Sequence, residues 1–330
     1  KANREKKFLT ITNNSNNPSK LRSQQMVIKL ERLKFHFKLD NHHHHEEEAL
    51  RLQSSLQGFR HEVSNLITNM VLESKPKIDG TLSLAWIEEC FKLLPMINRA
   101  FAKLVLEIDY PFSKWEARSI EDYLRYSLRL LDTLNMISSC LSHLGEKRLY
   151  LSHALSLVES SPSSAVERLK PIRVMSLTKG LVDGQGKEEE KIRSSCCLDN
   201  KEGVISQALF EVKSIWFWVS GVALAGLSGD EVGTFLSSSL LANLGSSVFG
   251  GLAEEGHLLE EAKEVNKAAA CLTAALEARQ SSGDEAEEMK RRLKGFEKVL
   301  DGLGREVESL FSEVLAARRK LLDSIQFRKK

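Results

Sequence analysis

The chain has 330 residues, 42% of them hydrophobic and 28% charged, which is enough to bury a core and ordinary for a soluble globular protein. Forty-seven Lys and Arg against 45 Asp and Glu leave a net charge of +2, so bulk charge points neither to a nucleic-acid binder nor to an enzyme for acidic substrates. Five cysteines (Cys90, Cys140, Cys196, Cys197 and Cys271), without metal-type spacing, imply reduced thiols in a reducing compartment and no disulfide framework.

The positive charge is local. Residues 1–38 hold ten basic and two acidic side chains, a net of +8, among Asn, Ser and Thr. That composition predicts a flexible basic arm over residues 1–45, with an organelle transit peptide as the alternative. The run His42 to His45, followed by Glu46 to Glu48, reads as a solvated junction, because nothing fixes the geometry that four histidines need to hold a metal ion. Residues 46–330 are expected to form a single helical domain.

The first helix carries Leu52, Leu56, Phe59, Val63, Leu66 and Met70 in heptad-like steps up to the break at Lys75-Pro76. Thr81 or Ser83 opens a second, with Trp86, Leu93, Leu94, Ile97, Phe101, Leu104 and Ile108 on one stripe and Pro95 as a kink. After Tyr110-Pro111, the spacing in Ser113-Lys114-Trp115-Glu116 is that of a capping box and predicts a helix start at Ser113. Its stripe runs through Ile120, Leu124, Leu128, Leu131, Leu134, Ile137, Leu141 and Leu144; Gly145 is read as a stop, and Leu149, Leu151, Leu155 and Val158 as a second helix. Ser160 to Ser164 reads as a turn, and Ala165 to Lys179 as a short helix broken by Pro171. Residues 183–203, glycine-rich and charged, predict a disordered connection.

The next segment is apolar, with 16 uncharged residues between Lys213 and Asp230, somewhat short of a membrane span. Trp216 and Trp218 lie in it, and Gly221, Ala225 and Gly229 recur every four residues, a spacing that lets another helix approach closely. A buried central helix is the favoured reading. A single span or shallow hairpin, and an exposed partner site made by these five residues, are the alternatives. Residues 232–253 are uncharged but rich in Ser and Gly, a poor span. Glu254 to Arg279 reads as one helix. Ser282 to Glu285 repeats the capping spacing before a seam of Met289, Leu293, Phe296, Leu300, Leu303, Val307, Leu310, Val314, Ala317 and Leu321, in steps of four and three. Such a helix needs a long partner, and the one starting at Ser113 has the matching stripe.

Phosphate-binding loops, a dinucleotide fingerprint, H-E-x-x-H and paired C-x-x-C are absent from the sequence. Glu254-x-x-His257 is half of a di-iron pattern without a second copy, and His143 and His153 are read as partly buried structural histidines. No catalytic, cofactor or metal residues are assigned.

The box Tyr110-Pro111-Phe112-Ser113-Lys114-Trp115-Glu116, with Tyr123-Leu124 and Leu130-Leu131-Asp132, resembles the plant BYPASS family, related to the ROH proteins. Leu84-Ala85-Trp86, Ala208-Leu209, Val212-Lys213, Ser220-Gly221-Val222, Ser228-Gly229, Glu306-Val307, Phe311 and Leu315 follow in the order of the family's blocks. The resemblance implies a non-enzymatic plant protein of root and shoot development. For the ROH relatives it implies exocyst-linked secretion.

The expectation is therefore an all-α protein, an elongated bundle of long antiparallel helices that acts through protein partners, with exocyst subunits among the candidates. Peripheral or single-span membrane association is the alternative, and no nucleic acid or small-molecule substrate is expected. The expected location is the cytoplasm or the cytosolic face of the endoplasmic reticulum and endomembranes, with the plastid as the alternative.

Overall fold

A computed structural model describes residues 46–70, 82–174, 200–228 and 259–328. The predicted basic arm, most of the charged connection and the window 232–253 lie outside the described residues. Two compact units divide the chain, Lys1–Arg51 and Leu52–Lys330. Of the first, residues 46–51 are described and are helical.

The fold is all-α, and among the described residues there is no strand. Helix α1 covers residues 46–70, α2 Leu84–Glu107, α3 Ala117–Ser156, α4 Pro162–Arg168, α5 Lys201–Ser228, α6 Glu260–Glu277 and α7 Gly283–Arg328. A 3-10 turn, Phe112–Lys114, precedes α3.

The long seam of α7 is the frame. Every seam residue from Met289 to Val314, and Leu321 beyond them, is buried, with Ala317 half-buried. It packs most extensively on α3, and two contacts fix the direction. Arg148 pairs with Glu297 at 2.8 Å. Arg318 donates to the Ser127 hydroxyl at 2.8 Å and to the Leu124 carbonyl. As the number rises on one helix it falls on the other, so the two are antiparallel. Helix α6 returns on α7 through the turn at Ala278 to Ser282, where Arg279 takes the left-handed conformation at φ 52°, and Arg292 pairs with Glu264 across the hairpin.

Helix α5 fills the middle. It runs parallel to α3, since Ser119 lies 3.4 Å from Ser206 while Tyr126, further along, meets Phe217. It is antiparallel to α2, with Asn98 beside Trp216 and Ile87 beside Gly226. A helix buried on all sides needs a continuous apolar sequence rather than a stripe, which is what residues 214–228 supply. The connection expected over 183–203 ends earlier than its sequence suggests: Lys201 to Gly203 already belong to α5, with the Asn200 side chain accepting from the Gly203 N–H at 2.7 Å.

Three readings of local sequence are corrected. Ser113 does not cap α3; it sits in the 3-10 turn, and α3 begins at Ala117 with Glu116 as N-cap and no side-chain cap bond. Burial of Trp115, whose indole N–H reaches the Tyr110 carbonyl at 3.2 Å, holds the backbone in that turn and overrides the cap. Gly145 does not stop α3, which runs unbroken for 40 residues. The glycine costs about 1 kcal/mol of propensity, less than the packing of the turns on either side supplies. Pro162 is the first residue of α4 rather than part of a turn, and the short helix ends at Arg168, before Pro171. Pro95 lies within an unbroken α2.

Candidate functional site

Helix α5 carries the side chains that the sequence singles out. Trp216 and Trp218 are 1% and 6% exposed, and Gly221 and Ala225 are buried with them in the helical core. Gly229 lies outside the described residues. The Trp216 indole N–H donates to Asn98 Oδ1 at 3.4 Å, and Trp218 meets Trp86 edge-on with centroids 6.3 Å apart. Gly226, on the same helix, is a point of close approach. A Cβ there would meet Ile87 and Leu82 at 3.3 Å and Leu259 at 3.4 Å.

The family-like box folds into an aromatic junction between α2, α3 and α5. Rings of Phe59, Phe101, Trp115, Phe112, Tyr123, Tyr126 and Phe217 touch in succession, mostly edge to face, at centroid separations from 4.4 to 6.5 Å. The Lys213 ammonium lies 5.6 Å from the Tyr126 ring centre. Burial pushes the Tyr126 hydroxyl well above the ordinary phenol range, and its oxygen has no hydrogen-bond partner among the described residues. The ring packs between Tyr123 and Phe217.

Two half-buried carboxylates serve a helix end and an ion pair. Glu261 of α6 accepts from the backbone N–H groups of Leu84 at 2.9 Å and Ala85 at 3.2 Å, so it caps α2 alongside Ser83, whose hydroxyl accepts from the Trp86 N–H. Burial raises its pKa despite these bonds. Glu211 pairs with Arg60 at 2.7 Å, and burial again outweighs the guanidinium and raises the carboxyl. Sequence reasoning missed both, because a cap supplied from another helix leaves no local spacing to read.

No group of three or more His, Cys, Asp or Glu converges among the described residues. Cys90 and Cys140 are buried and Cys271 is exposed. His143 is half-buried as expected, but His153 is exposed on the outer face of α3. Glu254 and His257, with Cys196 and Cys197, lie outside the described residues. The open groove between α3 and α7, about 430 Å³, is lined by Leu141, Ser142, Gly145 and Arg148 on one side and by Glu297, Leu300, Asp301, Gly304, Arg305 and Glu308 on the other, with Arg148 and Glu297 paired across it.

What the geometry defines is an all-helical bundle whose most apolar helix is core and whose distinctive motif is an aromatic packing junction. Residues 112–323 match the family model described as Protein BPS1, so the chain belongs to that family. The chain is 24% identical over 196 residues to "Protein BPS1, chloroplastic" of Arabidopsis thaliana, covering 55% of this chain and 54% of the relative. It is 27% identical over 197 residues to "UPF0496 protein 4" of Oryza sativa subsp. japonica, covering 54% of this chain and 42% of the relative. The same values hold for "UPF0496 protein 4" of Oryza sativa subsp. indica. The match spans about half the length of these relatives. No solved structure matches.

Proposed function

We propose that the chain is a non-enzymatic plant regulator of root and shoot development that works as a helical adaptor, through contacts with protein partners. The observation that carries this reading is the burial of α5. The segment best suited to hold an apolar partner is core, so recognition falls to the polar outer faces of α3 and α7. Membership of the BPS1 family supports it. The test is rescue of root and shoot growth, in plants lacking this gene, by chains altered at exposed α3 and α7 residues such as Asp132, Asp301 and Glu308. Lost rescue at unchanged stability supports action through these surfaces; full rescue by every variant sinks it.

A second reading is a membrane-attached trafficking component with exocyst subunits as partners. It draws on α5, the one described helix long and apolar enough to cross a membrane, at 28 residues and a mean hydropathy of 1.4 in its best window. Since 78% of that window is buried, a span would require α5 to leave the bundle. Carbonate extraction of membranes separates the readings: retention in the pellet supports a span, and release supports the soluble adaptor. The proposed location is the cytoplasm or cytosolic face of the endomembranes. The chloroplast in the Arabidopsis relative's name makes the plastid the competing outcome for a fluorescent fusion.

A further inference from the structure

We propose that residues 169–174 are a displaceable strap, which occupies in cis a face of α6 able to take an extended partner segment with two apolar side chains three residues apart. The strap leaves α4 at Leu169, the C-cap of that helix, and meets α6 at Ile172; Leu169 and Ile172 are buried, at 7% and 2% exposure, while Lys170, Pro171 and Arg173 are exposed. One side chain grips its backbone. The Ile172 N–H donates to Asn266 Oδ1 at 2.6 Å, and Asn266 Nδ2 donates to the Ile172 carbonyl at 3.0 Å. An amide that satisfies both main-chain groups of one residue does what a neighbouring strand does, and it reads backbone rather than sequence.

The face around Asn266 suits an extended chain. Ala262 and Ala269, one turn to either side, are both buried, and their short side chains let a backbone lie close. Pro171 fixes its own φ and biases Lys170 to an extended conformation, so the strap enters the site with little left to order. Among the described residues its grip on α6 is two hydrogen bonds, with two buried apolar side chains, against the many-residue seams that hold α3 to α7. Release is therefore local, and a segment of the same apolar spacing fits the vacated face. This inference stands apart from the adaptor reading, since it needs only that the strap opens and that the face rebinds.

The test uses the full chain and two probes. In native-state hydrogen exchange, the Ile172 amide is expected to exchange at least tenfold faster than the amides of Leu134 and Leu310, by a route insensitive to low denaturant. Asn266→Ala should speed Ile172 a further tenfold and leave the α3 and α7 amides within twofold. A fluorescent peptide of residues 166–174 should bind the Ile172→Asp chain, in which the cis strap is weakened, and fail to bind Ile172→Asp/Asn266→Ala. Exchange of Ile172 only with global unfolding overturns the proposal, as does a peptide that binds both variants equally or neither. Should Ile172→Asp fail to fold, the exchange of the unaltered chain decides.

Discussion

Arg318 donates to the hydroxyl of Ser127 at 2.8 Å, tying the last turns of α7 to the first third of α3. The same guanidinium reaches the Leu124 carbonyl, to which the Ser127 hydroxyl itself donates at 3.0 Å, so one carbonyl takes two side-chain donors. Arg318→Ala removes the donor that fixes this end of the seam. Urea denaturation should show a loss of about 1.5–3 kcal/mol, the range for a hydrogen bond to a charged group. Arg318→Lys should recover little of it, because an ammonium lacks the planar fork. An unchanged midpoint in the alanine variant would show that the contact is incidental.

Leucines on the seam and just off it should separate cleanly. Leu310 and Leu131 are 0% and 8% exposed, whereas Leu128, placed on the same stripe by its spacing, is 50% exposed. Leu310→Ala and Leu131→Ala are each expected to cost roughly 2–5 kcal/mol, and Leu128→Ala about 0.5 kcal/mol or less. Equal losses at all three positions would contradict the packing described.

At Gly226 a methyl fits only if its neighbours give by a few tenths of an ångström. Alanine would sit at 3.3 to 3.4 Å from Ile87, Leu82 and Leu259 while gaining about 1 kcal/mol of helix propensity, so Gly226→Ala should lie within roughly 1 kcal/mol of the parent. Gly226→Leu should cost more, about 1–3 kcal/mol by overpacking, read as a fall in thermal midpoint. A leucine variant as stable as the parent would mean that α5 and α2 are not in contact there.

Tyr126→Phe removes a buried hydroxyl that has no partner among the described residues and keeps the ring contacts with Tyr123 and Phe217. The expected result is neutral or stabilising, by up to about 1 kcal/mol. Destabilisation beyond about 1 kcal/mol would reveal a hydrogen bond at that oxygen.

The raised carboxyls of Glu261 and Glu211 set a pH trend. A carboxyl whose folded pKa exceeds its unfolded value binds its proton more tightly in the fold. Its contribution is therefore fully present below the ordinary glutamate value, about pH 4.3, and is lost as pH rises through the raised value. Relative to Glu261→Gln/Glu211→Gln, the parent chain should gain stability as pH falls through that window. A difference that shrinks on acidification would put the sign, and the burial behind it, in error.

The α7 seam was legible because large apolar side chains recur in steps of three and four for more than four heptads, and no competing pattern explains such a run. The burial of α5 was legible as the favoured reading because its apolar residues have no polar face. The start of α3 was not, since the capping spacing at Ser113 is local while the burial that defeats it involves Trp115 and rings from α2. The stripe likewise could not tell buried Leu151 from exposed Leu149, because spacing marks a face and only the packed neighbours show how wide that face is. The caps from Glu202 to the Glu116 N–H and from Glu261 to α2 join residues distant in sequence, and nothing local announces them.

Because α3 closes against α7, half of this core is synthesised long before the other half. Between Ser156 and the end of α7 at Arg328 the ribosome adds more than half as many residues as the whole chain contains. At about 5–20 residues per second, the apolar stripe of α3 emerges and waits on the order of 10–30 s for its mate. During that interval α5 emerges and packs on one side of α3, and the side that meets α7 is still without its partner. Termination between the end of α3 and the α7 seam would leave a product without the helix on which α3 packs most extensively.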